Sequence, residues 1–102
     1  MIKISFQKNS NKTYEVVIKG HAGYAEKGYD IVCSAVSTMA ITTVNAILSL
    51  EETIDFSEKS GLLVIRTVKD TDVNQKLLSN MERMLNELRD QYPENIEIRN
   101  EA

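Results

Sequence analysis

The feature that most limits what this chain can become is a run of twenty residues, Ile31 to Leu50, without a single charge. A run of that length matches a bilayer-spanning helix. It carries Ser34, Ser37, Thr38, Thr42, Thr43, Asn45 and Ser49, however, and Asp30, Glu51 and Glu52 flank it with no basic cluster on either side. Spanning helices are anchored by basic loops on one side, so a central helix packed against protein is the better reading, and no membrane partner is expected. Nine of the twenty residues are β-branched, which makes helix propensity only fair. The run is still too long for an ordinary strand. Being apolar almost all round, it is also expected to reach beyond one small core and touch a second subunit. Val32, Val36, Met39, Thr43 and Ile47 form one helical face, and Cys33, Ser37 and Ala40 another.

The other elements follow from shorter patterns. Ile2, Ile4 and Phe6 alternate with polar residues as a strand does, Lys8 to Lys12 reads as a turn, and Tyr14, Val16 and Ile18 give a second strand that Gly20 ends. After the central helix, Thr53 to Phe56 reads as a short strand, Ser60-Gly61 as a turn, and Leu62 to Val68 as a largely buried strand. Asp70, Thr71 and Asp72 offer N-caps, and Asp72 with Gln75 resembles a capping box. Val73, Leu77, Met81, Met84, Leu85 and Leu88 make a helical stripe that Tyr92-Pro93 stops, and Ile96 and Ile98 lie in a last strand. The expected class is α+β, in the order β-β-α-β-β-α-β, with a mixed or mainly antiparallel sheet carrying two helices. At 102 residues one domain, 1–102, is expected.

Composition excludes more than it assigns. The net charge is −3, and there is no aromatic-basic patch, so direct nucleic-acid binding is not expected. One cysteine rules out an internal disulfide and fits a reducing compartment. No charged segment precedes an apolar run at the N-terminus, so the cytoplasm is the default location.

The chemistry concentrates just before the central helix. Gly20 to Ser37, GHAGYAEKGYDIVCSAVS, holds the only histidine, His21, the only cysteine, Cys33, and three of the four glycines, Gly20, Gly23 and Gly28. Asp30 is read as the N-cap of a helix starting at Ile31, which puts Cys33 at N3 in its first turn. Unpaired N–H groups there favour an anion and lower a thiol pKa. The intervening loop can return His21 to Cys33 as base and proton donor. Asp30 beside a thiolate would oppose this by like-charge repulsion unless it caps the helix or orients His21. Ser37, one turn beyond Cys33, reads as a hydroxyl that bonds locally or lines the site. In the loop, Tyr24 and Tyr29 can cover an apolar peptide, and glycine freedom makes the segment easy to move.

Rival chemistries are thinner. The glycine spacing matches neither common phosphate fingerprint. Zinc would have only His21, Asp30 and Cys33, without a paired Cys or His motif, and no cofactor or metal is assigned. No G-x-S-x-G occurs for a serine mechanism. Two readings without catalysis stay open: a ribosome-associated binding module, with His21 and the glycines shaping its loop, and a structural dimer joined through the uncharged helix.

The eighteen-residue run GHAGYAEKGYDIVCSAVS closely resembles the signature of the ribosomal-processing cysteine protease family, Prp. The resemblance implies that His21 and Cys33 are the catalytic pair, with Asp30 and Ser37 in supporting positions. It further implies a cytoplasmic, homodimeric endopeptidase with a mobile loop over its site. The implied substrate is the short N-terminal extension of a large-subunit ribosomal protein, removed around ribosome assembly.

Overall fold

The computed structural model describes residues 1–20 and 29–101. Among them are five strands and two helices: β1 (Ile2–Asn9), β2 (Lys12–Lys19), α1 (Tyr29–Leu50), β3 (Ile54–Lys59), β4 (Leu62–Thr67), α2 (Asp72–Gln91) and β5 (Ile96–Glu101). The order is the expected one. The strands form one sheet in the order β3-β4-β2-β1-β5. All neighbours pair antiparallel except β1 and β5, which run parallel, so the sheet is mixed.

Alternation decides which way each strand faces. Ile2, Ile4, Phe6, Val16, Ile18, Leu63, Ile65 and Ile96 are buried on the helix-bearing side. Lys3, Lys19, Arg66 and Arg99 fall between them and are exposed. Period-two burial on one face is what an antiparallel sheet with one solvated side requires. Burial in β4 accordingly alternates, with Leu62 and Arg66 outside, instead of running through the strand as expected. β3 also extends to Lys59, beyond the expected end at Phe56.

Both short hairpins close with two residues at positive φ. Ser10 and Asn11 sit at 52° and 65°, and Ser60 and Gly61 at 50° and 79°. That pairing is the type I′ requirement, whose twist suits a right-twisted ladder. In the first hairpin the register shifts between Gln7, opposite Glu15, and Lys8, opposite Thr13. Tyr14 is therefore the extra residue of a bulge and turns outward, while Thr13 turns in. This corrects the simple alternation that put Tyr14 inside.

The helices pack against each other and against the sheet. On α1 the buried residues are Val32, Val36, Ala40, Val44 and Ile47. Met39 and Thr43, expected in that stripe, are only half-buried, and Ala40 belongs to the core rather than to a face with Cys33. The segment Ile31–Leu50 is long and apolar enough to cross a bilayer by length and composition, yet this stripe lies in the same core as the strands. On α2 the buried residues are Asn74, Leu78, Met81 and Leu85, while Val73 is exposed. Thr71 caps α2, in a reciprocal box with Asn74. The expected pairing of Asp72 with Gln75 is thus one residue out of register.

Candidate active site

The site is anchored on α1. Cys33 is half-buried and packs against the core. Its neighbours in sequence alternate sharply: Val32 is buried, Ser34 exposed, Val36 buried. Helical geometry explains this. Val32 and Val36 carry the inward stripe, and Cys33 stands about 100° round from Val32, at the margin between core and surface. That margin gives a thiol a backbone held by packing and a side chain partly exposed. Ser37 stands one turn on from Cys33 and is likewise half-buried, so the two side chains share one flank of the helix.

The helix start differs from expectation. α1 begins at Tyr29, not at Ile31. Asp30 is therefore its second residue and not its N-cap, Tyr29 belongs to the helix rather than the loop, and Cys33 is the fifth residue, in the second turn. The unpaired N–H groups of a helix belong to its first turn, so the helix terminus offers Cys33 less than a position at N3 would.

On the strand side, β2 ends at Lys19 and Gly20 follows at φ 82°. Its N–H donates to the carbonyl of Gly61 at 3.0 Å. A positive φ is where glycine carries no steric cost, and Gly20 adopts it directly after the last residue of β2. The rest of the predicted loop, His21, Gly23, Tyr24 and Gly28, lies outside the described residues, and so does the expected return of His21 to Cys33.

Comparison with known proteins decides the family. A family model described as Cysteine protease Prp matches residues 1–97. The chain belongs to the cysteine protease Prp family. The ribosomal processing cysteine protease Prp of Staphylococcus aureus is 33% identical over 103 residues, covering 96% of this chain and 97% of the relative. The fold agrees. A crystal structure of the S. aureus Prp protease with a substrate peptide has a TM-score of 0.88 at 31% identity, covering 99% of this chain and all of that one. A second, with a covalently linked product peptide, also has a TM-score of 0.88, at 33% identity and 99% coverage of this chain. This Prp-family chain is thus a cysteine protease by descent, and the two readings without catalysis lose their ground.

Two features of the wider frame lay beyond sequence reasoning. Gly61 was legible only as a turn residue, yet it holds Gly20. Asn74, fully buried, was invisible to apolar periodicity, although Thr71 three residues before it carried the capping signal.

Proposed function

We propose that this cysteine protease removes the short N-terminal extension of a large-subunit ribosomal protein during ribosome assembly, with Cys33 as nucleophile and His21 as its base and proton donor. The thiolate of Cys33 attacks the scissile carbonyl carbon. The tetrahedral intermediate collapses, the C–N bond breaks, and the imidazolium of His21 gives its proton to the leaving amine. Water, deprotonated by the same imidazole, then cleaves the thioester and frees the thiol. The observation that carries this reading is a cysteine at the surface margin of α1, inside the densest stretch of family resemblance. Asp30, in the first turn of α1, and Ser37, one turn past the thiol, serve as supporting groups. Gly20, Gly23, Tyr24, Gly28 and Tyr29 shape the approach of the peptide.

The protease acts in the cytoplasm as a homodimer of single-domain chains, without cofactor or direct nucleic-acid contact. Supporting the dimer is the outer side of α1. Ile31, Leu48 and Leu50 are 66%, 43% and 68% exposed, and Ser34, Thr38, Thr42 and Asn45 between them are exposed and uncharged. A long surface helix without a charge is an ordinary interface face and an unusual solvent face. Incubation with N-terminally extended ribosomal proteins, followed by mass spectrometry of the products, tests the assignment. The expected result is one new N-terminus on one large-subunit protein. No cleavage of any extended large-subunit protein would contradict it.

A further inference from the structure

β3 is an edge strand: it stands at one end of the sheet order and pairs with β4. Just before it, the Thr53 carbonyl accepts the Val68 N–H at 2.9 Å, and bonded pairs alternate along an antiparallel ladder. Asp55, Ser57 and Lys59 therefore bond to Arg66, Val64 and Leu62, while the N–H and carbonyl of Phe56 point outward along the edge. The Phe56 side chain lies on the helix-bearing face with its cross-strand partner Ile65, which is buried, yet it is itself 36% exposed. α1 packs beside this margin. β2 and β3 are both antiparallel to β4, hence parallel to each other, and α1 joins them in the chain. Crossovers of that kind are right-handed. With Val32, Val36, Ala40 and Ile47 fixed inward, this hand turns the flank bearing Cys33, Ser37 and Ile41 toward β3, and the flank bearing Met39 and Thr43 toward α2. Ile41 is half-buried against the core.

An edge with outward backbone groups thus runs beside the flank of α1 that carries the thiol. Ile41 stands two i,i+4 steps beyond Cys33, about 12 Å along the helix axis. An extended peptide covers that distance in about three to four residues. We propose that the substrate peptide of this protease adds to the edge of β3 as a further strand, hydrogen-bonded to the Phe56 backbone. Phe56 and Ile41 then receive one large apolar side chain of the peptide, about three to four residues from the scissile bond. This rests on the reading of Cys33 as the nucleophile. Main-chain pairing supplies affinity whatever the peptide sequence, and the seat for one alternate side chain supplies selectivity.

The test uses the full chain, its Cys33→Ala variant and an N-terminally extended ribosomal-protein peptide. Amide exchange reads the edge directly and needs no change at β3. In Cys33→Ala the Phe56 amide should exchange freely without peptide and about tenfold or more slowly at saturating peptide. The Ser57 amide, already bonded to β4, should stay protected in both states. Phe56→Ala and Ile41→Ala should each raise KM roughly tenfold, with kcat and Cys33 alkylation by iodoacetamide within about threefold of the parent. Phe56→Leu, the conservative variant, should recover most of the loss. Alanine at the apolar position of the peptide should cost as much as Phe56→Ala, and the two together little more than either alone. A Phe56 amide left unprotected by peptide, or unchanged KM in folded Phe56→Ala and Ile41→Ala, would overturn the proposal. So would protection of that amide by rising protein concentration alone, because a second copy would then hold the edge. Cleavage by the parent with the Phe56 amide still exposed removes only the strand addition. A parent that cleaves no extended peptide removes the substrate reading and this proposal together.

Discussion

Cys33 occupies the second turn of α1, where the field of a helix N-terminus has largely faded. On the proposed mechanism, activation of the thiol then falls chiefly to a neighbouring base, which raises the importance of His21. His21→Ala is expected to lower turnover by about a hundredfold or more across roughly pH 6 to 9 while leaving peptide binding largely intact. Steady-state kinetics over that range checks this, and near-parental turnover would remove His21 from the mechanism. Cys33→Ser is expected to be almost inactive, because a hydroxyl lacks thiolate character at neutral pH. Both stand out as candidates in the sequence because each is unique in it and the two share one dense stretch; of the pair, only Cys33 lies among the described residues. Asp30 was legible as a helix-start residue but not in its register. The sequence offered Asp30 as the cap and Ile31 as the first helical residue, and such boundaries shift by one or two residues.

Among the elements, α2 shows most clearly where sequence patterns stop. Asn74 is fully buried. Its side-chain amide donates to the Thr53 hydroxyl at 2.9 Å and to the Lys69 carbonyl at 2.8 Å, and its carbonyl accepts the Thr71 N–H at 3.1 Å. Glu51, at the end of α1, accepts from the hydroxyls of Thr71 and Thr53. Gln75 clasps the backbone of Thr13, donating to its carbonyl at 2.9 Å and accepting from its N–H at 2.7 Å. One polar network therefore joins the α1–β3 junction, the start of α2 and the bulge of β2. Apolar periodicity cannot report it, since its members are polar and separated in sequence. The face of α1 was blurred for the opposite reason: a run apolar all round has no polar side to mark the core, so Met39 and Thr43 were as eligible as Ala40 and Val44.

Two outcomes belong to this scale. Asn74→Ala strands several partners at once and should cost about 2 kcal/mol or more. Denaturant titration measures it, and a loss near zero would show that water replaces the amide. The hydrogen bonds from Thr53, then Thr71, hold the Glu51 carboxyl below its usual 4.5. A depressed carboxylate adds stability above its unfolded pKa and loses it as pH falls through the folded value. Melting temperature should therefore fall on acidification below about pH 4.5, and Glu51→Gln should flatten part of that slope. At the alkaline end Lys12 is raised above its usual 10.5 by its hydrogen bond to Asp70. Its contribution is present below 10.5 and lost as pH climbs through the higher folded value.

At the scale of the whole molecule, the sheet packs one face under two helices and leaves the other to solvent, which the alternating strands announced. The strand order and the parallel pairing of β1 with β5 were not legible, because period-two patterns orient a strand without choosing its neighbours. The outer side of α1 remains open in the single chain, and sedimentation at micromolar concentration should show a homodimer. A monomer would require another explanation for that charge-free face. The central claim, acyl transfer through Cys33, is tested most directly by intact-mass spectrometry during cleavage of an extended ribosomal-protein peptide. The parent chain should release the extension and carry, transiently, one acyl adduct on Cys33. Cys33→Ala, folded and still binding the peptide, should show neither. Cleavage by Cys33→Ala, or cleavage by the parent with an adduct on another residue, would contradict the account.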